Sequence, residues 1–563
     1  MQFLRILLCF YSSIVPANCP EVAFSQSMHS YIIAGIGLLL VYVSYYLLSS
    51  YLAFRRHAQN AARLGCKEPP RRPHKLPLGI DLAQKILKAD KEKRVPDLFL
   101  DVYEELGRPA TWKQYLLGTD CIVTMDPRNI QAILATQFND FAIGEQRRKN
   151  LFPMLGNGIF TADGKAWEHS RALLRPQFAR DQVSDLELEE VHLQNLLRRL
   201  STDASGMTAK VDLQPLFFNL TLDSATEFLF GESVNSQLVG SSDQSFPHTK
   251  KDWSGEDLDW STFGEDWDNA TMALGVRGLL GDAYWLHSPR NFHQSCRRIH
   301  EFANYCVNRA LTTDLSSLKE KDASGAHKRD RYIFLQELVA HTRDPVELRS
   351  QLLNILLAGR DTTAGLLGWT FYTLVRHPEV YEKLRAIILD RFGTYSAPRN
   401  ITFANLKSCT YLQHVLNEIL RLYPNVPLNS RRCIRTTTLP RGGGPDGNSP
   451  VYVREGQEVN YLVHVMQRRK DIWGEDANQF KPERWEGKKV GWEYLPFNGG
   501  PRICLGQQFA LTEAGYVTVR LMQRFDRLVN EDNREVIRHM LSLTTSTDGC
   551  WVRLHAAEES AEA

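Results

Sequence analysis

The stretch Phe497–Gly506 reads FNGGPRICLG and places one cysteine, Cys504, inside a short glycine-rich segment. Gly499 and Gly500 permit a tight turn, because glycine adopts positive φ without steric cost. Backbone N–H groups around such a turn can hold a sulfur as its thiolate, which is the form that binds metals. Arg502 adds a cation that could neutralise an anionic group on a ligand. The stretch therefore predicts a thiolate metal ligand, with a buried free cysteine as the plainer alternative.

Written as a pattern, the stretch is F-x-x-G-x-R-x-C-x-G, with every fixed position at the required spacing. This pattern resembles the haem-ligand loop of the cytochromes P-450. The resemblance implies haem b as cofactor and Cys504 as the axial ligand of its iron. It also implies that Phe497 shields the site from water and that Arg502 contacts the cofactor. Thiolate ligation favours cleavage of the O–O bond, so the implied activity is that of a monooxygenase.

Composition limits the other possibilities. The chain has 563 residues, 43% of them hydrophobic, and a formal net charge of +2, so no basic surplus indicates a nucleic-acid partner. Its 10 cysteines include no C-x-x-C pair. This spacing argues against a disulfide framework or structural zinc site and fits a reducing compartment.

The N-terminal part predicts a membrane anchor. Residues 31–54 form an uncharged apolar run, and a spanning helix needs about 20 residues. Basic residues follow the run over 55–72, whereas Arg5 is the only one before it. The positive-inside rule then places the body of the protein in the cytosol. We expect a single-pass protein of the endoplasmic reticulum membrane, with a buried core helix as the alternative.

The anchor divides the chain into expected parts. Residues 1–30 have an unclear status, because residues 1–15 resemble a signal peptide and Met28 is an equally plausible start. Residues 55–80 are basic and rich in proline, which predicts a semi-rigid hinge. Residues 81–563 would form the haem-thiolate monooxygenase domain.

Trp167 and Arg171 lie four residues apart in GKAWEHSRALLRPQF, which places them on one helix face. An indole N–H and a guanidinium on one face could clamp a carboxylate. W-x-x-x-R alone usually marks only a surface. Together with the cysteine loop, it resembles the helix that grips a haem propionate in the P-450 family. The wider string LGNGIFTADGKAWEHSRALLRPQFAR resembles the fungal n-alkane and fatty-acid hydroxylase branch of that family.

The apolar stretch from Ser350 to Phe371 predicts a buried helix, yet Asp361, Thr362 and Thr363 interrupt it. Polar groups buried without partners cost a few kcal/mol, so they need a reason. One reason is a threonine that bonds the carbonyl four residues earlier. The order A-G-x-D-T-T instead resembles the oxygen-activation groove of the family. That resemblance implies that Asp361 and Thr362 relay protons.

Glu418 and Arg421 form E-x-x-R, and Arg484 follows in FKPERW. One carboxylate between two guanidiniums would make a buried charge-assisted network. E-x-x-R alone carries no weight, but its order before the cysteine loop resembles the family and implies a structural role. Between these motifs, Arg431 or Arg432 could pair with a second haem propionate.

Two other segments have compositions that bear on ligand binding. Residues 240–269 are polar, acidic and dotted with tryptophan, which predicts a loop or lid for substrate traffic, or equally a disordered insertion. Residues 442–447 spell G-x-G-x-x-G, but a strand signal follows instead of a helix, so we reject a dinucleotide site. Without a nicotinamide or flavin site, the protein would take electrons from a membrane-bound NADPH–cytochrome P-450 reductase.

The resemblance covers residues 70–555 and implies a mainly α fold with small β-sheets, preceded by a transmembrane helix. The implied reaction inserts one oxygen of O2 into a C–H bond of a lipophilic substrate, such as a fatty acid or alkane. Tailoring of a fungal secondary metabolite, such as a polyketide, is the alternative. A haem carrier that does not oxygenate carbon is more remote, because a carrier needs no proton relay.

Overall fold

The computed structural model describes residues 20–178, 186–239, 249–251, 257–312, 333–540 and 544–558. Across these ranges the chain is mainly helical with small sheets, so the predicted fold class is confirmed. The chain divides into two compact units, residues 1–66 and 67–563. The α-helices of the described chain are α1 (Pro20–Arg63), α2 (Ile80–Lys91), α3 (Val95–Glu105), α4 (Pro127–Gln131), α5 (Gly144–Leu155), α6 (Gly164–Leu174), α7 (Glu187–Arg198), α8 (Leu213–Phe230), α9 (Phe263–Leu279), α10 (Arg290–Thr312), α11 (Phe334–Val339), α12 (Pro345–Leu374), α13 (Pro378–Phe392), α14 (Phe403–Ser408), α15 (Thr410–Leu422), α16 (Val463–Met466), α17 (Lys470–Trp473) and α18 (Gln507–Arg524).

The strands are short. They are β1 (Thr111–Leu116), β2 (Thr119–Thr124), β3 (Phe141–Ala142), β4 (Val211–Asp212), β5 (Thr249–Lys251), β6 (Asp257–Asp259), β7 (Asn429–Cys433), β8 (Thr437–Gly443), β9 (Ser449–Val453), β10 (Glu458–Tyr461), β11 (Phe525–Asn530), β12 (Arg538–Met540), β13 (Thr545–Thr547) and β14 (Trp551–Ala556).

Helix α1 is a candidate membrane anchor, as the apolar run predicted. Its section from Ala34 to Arg63 is long and apolar enough to cross a membrane, and none of its apolar window is buried in the protein. The helix extends past residue 54 because residues 55–63 contain neither proline nor glycine to end it. Residues 1–19, which belong to the segment of unclear status, lie outside the described residues.

Part of the proline-rich segment is bonded to the second unit. The backbone N–H of Arg72 donates to the carbonyl of Lys113 in β1 at 2.8 Å, and the N–H of Lys113 donates to the carbonyl of Pro70 at 2.8 Å. The N–H of Lys67 likewise donates to the carbonyl of Pro450 at 2.9 Å. Residues 67–72 are therefore part of the globular unit.

The largest sheet has five strands in the order β1-β2-β10-β7-β3. β2 and β10 are parallel, and the other neighbours are antiparallel. Leu117 (φ 47°) and Gly118 (φ 87°) form the β1–β2 turn, because a two-residue hairpin turn favours positive φ at both positions. Residues 442–447 end β8 and lead into the antiparallel strand β9. A strand and not a helix follows them, in agreement with the rejection of a dinucleotide motif.

Helix α12 runs through the interior of the second unit. Asp344 caps it, because its carboxylate accepts a hydrogen bond from the N–H of Val346 at 2.9 Å, and Pro345 occupies the first turn. Its side chains are buried on every face, which is typical of a central helix. Residues of α8, α13, α15 and α18 share its apolar core. The predicted buried helix is confirmed and is longer than the apolar stretch alone.

The segment predicted as a loop or lid over residues 240–269 ends earlier than expected. Helix α9 begins at Phe263, and Trp267 within it is fully buried. The Trp260 ring also lies 5.0 Å from that of Phe302. Burial of these aromatic rings stabilises helix and core despite the polar surroundings. Residues 249–251 and 257–259 pair as β5 and β6, and the rest of 240–256 lies outside the described residues.

Glu418, Arg421 and Arg484 meet in the interior. Arg421 donates to both carboxylate oxygens of Glu418 at 2.8 Å, and Arg484 Nε donates to one of them at 3.2 Å. The indole N–H of Trp485 donates to Glu418 at 3.0 Å. Arg421 also donates to the carbonyl of Ala477 at 2.6 Å. Because Glu418 and Arg421 are fully buried, this network joins α15 to the segment that precedes the cysteine turn.

We predict that Glu418→Gln lowers the free energy of unfolding by about 3–5 kcal/mol, because it leaves a buried guanidinium without its counter-charge. The matched control is Glu104→Gln, which breaks an exposed helical ion pair to Arg108. Thermal unfolding of the detergent-solubilised protein, followed by circular dichroism, should show a large loss for Glu418→Gln and little change for the control. Equal losses would contradict a structural role for the network.

Candidate functional site

The Cys504 turn is shaped by close backbone approach. Gly500 has φ +67°, and a Cβ atom there would lie 1.8 Å from the carbonyl oxygen of Leu134. Only glycine fits this position, because both the conformation and the contact exclude a side chain. The N–H of Cys504 donates to the carbonyl of Phe497 at 3.0 Å, and that of Ile503 to Gly500 at 3.0 Å. These bonds hold Cys504 just before the first turn of α18.

The Cys504 side chain is exposed to a cavity in the second unit. Burial raises the pKa of this thiol, while the backbone N–H of Gly506 and the cation of Arg171 oppose the rise. A bound metal cation would deprotonate the thiol outright. The turn therefore presents a sulfur with local donors for its anion.

Small residues of α12 line the same cavity as Cys504. Ala358 and Gly359 face it together with Thr362. A Cβ atom on Gly359 would meet only the Cβ of Ala225, at 3.9 Å. The α12 wall therefore leaves room beside the cysteine turn. The remaining lining is largely hydrocarbon and includes Ile143, Ile159, Phe160, Phe178, Phe228, Leu229, Ile355, Leu357, Leu366, Leu420, Val426, Val463, Leu495, Phe497, Leu505 and Phe509.

Trp167, Arg171 and Arg502 come together at one edge of the cavity. The guanidinium carbon of Arg502 lies 4.4 Å from the centroid of the Trp167 ring, and that of Arg171 lies 5.9 Å from it. Arg502 donates to Asp163 at 2.7 Å, and Arg171 donates to the carbonyl of Ile503 at 3.1 Å. Helical spacing predicted the first pair, and the fold adds Arg502 to it.

Two more cations line the cavity. Arg431 donates to the carbonyl of Ser430 at 2.7 Å, and Arg147 donates to the side-chain oxygen of Asn429 at 2.6 Å. Arg432, the other candidate for a propionate partner, instead bonds Asp282 at 2.8 Å outside this lining.

Burial and mutual repulsion lower the pKa values of Arg147 and Arg502. Burial and the neighbouring Arg431 lower the pKa of Arg147 to about 10. Burial likewise lowers the pKa of Arg502 to about 10, with Asp163 opposing and the charges of Arg431, Arg147 and Arg171 adding to the fall. Buried like charges favour an anionic ligand. The residues therefore fit a haem: Cys504 would hold the iron, and the guanidiniums would hold the two propionates.

Thr362 and Asp361 point in different directions. The Thr362 hydroxyl donates to the carbonyl of Ala358 at 2.6 Å, which is the back-bonding that the sequence left open, and Thr362 lines the cavity. Asp361 does not line it. Consecutive helix residues project about 100° apart, so Asp361 points away from the cavity that Thr362 faces. Its buried carboxylate accepts a hydrogen bond from Arg360 at 2.9 Å. Arg360 also bonds Asp268 in α9 at 2.5 Å.

Sequence reasoning missed three side chains around this site. Arg147 lies in the plain basic string EQRRKN, where nothing distinguishes it from its neighbours. Asn425 lies in a proline-flanked turn and donates to the carbonyl of Thr362 at 2.7 Å. Glu513 follows Cys504 by nine residues on α18 and accepts from the Ser224 hydroxyl at 3.1 Å. No local pattern marks them, because their partners are distant in sequence.

A cysteine thiol, a cationic edge and a threonine on a central helix around one apolar cavity define a haem-thiolate site. The family model for cytochrome P450 matches residues 75–549. Cytochrome P450 monooxygenase g430 of Fusarium sp. is 52% identical over 510 residues, which cover 90% of this chain and 88% of the relative. Cytochrome P450 52A13 of Debaryomyces hansenii is 47% identical, with 81% of this chain and 85% of the relative covered. Cytochrome P450 52A1 of Candida tropicalis is 49% identical, with 75% of each covered.

The chain therefore belongs to the cytochrome P450 family and is a monooxygenase with a haem-thiolate cofactor. Several yeast relatives carry 52A names, and this confirms the resemblance to the fungal branch. A monooxygenase of this family requires O2, an organic substrate and a redox partner.

The carboxyl of Glu513 gives the fold a pH dependence. Burial raises the pKa of this carboxyl from 4.5 to about 7, with Ser224 and Thr363 opposing. Between these two values the folded protein holds a proton that the unfolded chain releases. Its contribution to stability is therefore present below about pH 4.5 and is lost as pH rises toward about pH 7.

We predict that Glu513→Gln removes this loss. The thermal midpoint of the variant should rise relative to wild type between about pH 5 and about pH 7 and stay constant above that. The control, Glu145→Gln, replaces an exposed carboxyl and should give a constant offset. Parallel plots of thermal midpoint against pH for wild type and Glu513→Gln would contradict this, because they would show that Glu513 has the same pKa in the folded and unfolded states.

Proposed function

We propose that this protein is a membrane-anchored haem b monooxygenase that hydroxylates long aliphatic chains, such as fatty acids or alkanes. The observation that carries the proposal is the apolar cavity that joins Cys504, the Arg147–Arg431–Arg502 edge and Thr362. When bound, haem b would activate O2, and one oxygen atom of that O2 would enter the C–H bond. The protein residues hold the cofactor, position the substrate and control access of protons and water.

Arg147, Arg431 and Arg502 would hold the propionates by charge-assisted hydrogen bonds, and Trp167 with Arg171 would complete that edge. Phe497 lies on the cavity wall, where it would shield the Cys504 sulfur from water. The network of Glu418, Arg421 and Arg484 is proposed to hold the segment that presents the turn. We propose the anchor at 31–54 and the monooxygenase domain at 81–563 as the sequence predicts. The hinge predicted at 55–80 is limited to its first part, because residues 67–72 are bonded within the globular unit.

Thr362 is proposed to guide protons at the cavity wall. Its hydroxyl donates to Ala358, so its oxygen lone pairs can accept a hydrogen bond from a water or reacting group in the cavity. Asp361 is proposed to supply protons from the neighbouring face of α12, which faces Arg360. Its carboxylate contacts Arg360, which reaches Asp268, and the Asp268 side chain is 45% exposed to solvent. Burial raises the pKa of Asp361, which favours its protonated form, while Arg360 opposes this.

The substrate class follows from the cavity wall. Apolar side chains such as Val426, Leu366 and Val463 line it, and burial of hydrocarbon against them yields about 0.8 kcal/mol per CH2 group. An aliphatic chain therefore gains binding energy in proportion to its length. A lipophilic substrate would also partition into the membrane that α1 is proposed to span.

Electrons are proposed to come from an NADPH–cytochrome P-450 reductase that binds on the Cys504 side. The endoplasmic reticulum membrane is the proposed location, with the catalytic unit in the cytosol. The basic residues that follow the apolar run support this orientation.

The test reconstitutes the full-length protein with a cytochrome P-450 reductase, NADPH and O2, and supplies dodecanoic acid, hexadecane or an alkyl-chain polyketide. We expect hydroxylated dodecanoic acid or hexadecane, identified by mass spectrometry. Thr362→Ala should form less product and more hydrogen peroxide per NADPH, because the proton path at the cavity is interrupted. Thr312→Ala, at the end of α10 and outside the cavity lining, is the matched control.

Two results would contradict the proposal. Oxidation of the polyketide alone would assign the protein to secondary metabolism and refute the lipid substrate class. Unchanged coupling in Thr362→Ala would remove its proposed role while leaving the family assignment intact.

A further inference from the structure

Three buried side chains donate hydrogen bonds to backbone carbonyls within about one turn of α12. The Thr221 hydroxyl donates to the carbonyl of Arg360 at 3.0 Å, and the Asn425 amide donates to the carbonyl of Thr362 at 2.7 Å. The Gln214 amide donates to the carbonyl of Ala364 at 3.1 Å. The donors come from α8 and from the turn after α15, and each is more than nine-tenths buried. One acceptor is the carbonyl of Thr362 itself, and the other two lie two residues before and two residues after it.

The geometry identifies which atom of Asn425 donates. Nitrogen and oxygen of a side-chain amide are distinguished by their partners. A 2.7 Å contact with a carbonyl oxygen requires the amide nitrogen at that position. A carbonyl oxygen has two lone pairs, so the Thr362 carbonyl can serve its own helix and Asn425 together.

Two glycines of α12 make room for these contacts. A Cβ atom on Gly368 would lie 1.9 Å from the side-chain oxygen of Gln214. A Cβ atom on Gly365 would lie 3.2 Å from the side-chain oxygen of Asn425 and 2.8 Å from the carbonyl of Thr545. Glycine inside a helix costs roughly 1 kcal/mol relative to alanine. The close approach of the two amides explains why glycine occupies these positions despite that cost.

Strand β13 holds both amide-bearing residues from the other side. The N–H of Thr545 donates to the backbone carbonyl of Asn425 at 2.8 Å, and the hydroxyl of Thr547 donates to the side-chain oxygen of Gln214 at 2.9 Å. Gln214 is therefore held through its side-chain oxygen, and Asn425 through its backbone, as well as at α12. Thr544, directly before this strand, lines the cavity.

We infer that Asn425 is a positioning residue for the monooxygenase reaction, which sets the placement of Thr362 by holding the backbone carbonyl of that residue. The Thr362 hydroxyl is fixed to Ala358, so its place at the cavity wall follows from the placement of this helix turn. This inference rests on the proposed role of Thr362. Asn425 acts through Thr362 and has no role of its own in proton transfer.

The first test measures hydrogen–deuterium exchange of the purified haem-loaded protein by mass spectrometry. Asn425→Leu keeps a similar shape and removes the donor. We expect exchange over residues 361–369 to rise roughly fivefold, the effect of one ordinary hydrogen bond. The control, Gln523→Leu, removes a buried amide that donates to the carbonyls of Phe392 and Gly393 at 2.9 and 2.7 Å. It should raise exchange near residue 393 and not at 361–369.

The second test is a double-variant cycle on the yield of product per NADPH with dodecanoic acid, or on peroxide per NADPH without substrate. Asn425→Leu should lower coupling roughly fivefold, whereas Gln523→Leu should not. Asn425→Leu in a Thr362→Ala background should cause no further loss, because both variants disturb one step.

The outcomes separate the two claims. If Thr362→Ala uncouples the enzyme and Asn425→Leu leaves exchange at 361–369 unchanged, the positioning inference is wrong. Additive losses in the double variant would also overturn it, since they would show independent effects. If Thr362→Ala itself has no effect on coupling, the proposed role of Thr362 fails and the inference with it.

Discussion

Unbalanced charge around one cavity is the constraint on which the rest of the structure depends. Arg147, Arg431 and Arg502 line it among apolar side chains, and of these only Arg502 has a carboxylate partner in the described residues, Asp163. The Cys504 thiol lines the same space. Desolvated like charges repel one another at low dielectric, so an anionic ligand would stabilise the site. A porphyrin with two propionates and a metal for the sulfur meets both requirements at once.

The architecture follows from that requirement. Gly500 brings the cysteine turn against Leu134, and the network around Glu418 joins α15 to the segment before the turn. Helix α12 forms the facing wall, where small residues leave space and side-chain donors hold the backbone. The same helix directs the Thr362 hydroxyl and the Asp361 carboxyl to different surroundings, because Thr362 faces the cavity and Asp361 faces Arg360. The contacts that hold the cysteine turn and α12 in the fold thus also shape the cavity between them.

Local patterns predicted the features that depend on short stretches of chain. The cysteine turn, the Trp167–Arg171 helix face and the buried α12 all follow from patterns within short stretches of sequence. Arg147, Asn425 and Glu513 did not, because their partners lie far away in sequence and only packing brings them together. The polar composition of residues 240–269 misled in the same way, since burial of aromatic side chains outweighs it in α9.

The iron–sulfur bond at Cys504 is the central claim, and the carbon monoxide difference spectrum of the reduced protein tests it most directly. Wild type and Cys296→Ser, which alters a buried cysteine of α10, should show the strongly red-shifted Soret band of thiolate-ligated haem. Cys504→His, which offers a neutral ligand, should retain haem and lack that band. A red-shifted band that persists in Cys504→His would show that another group holds the iron.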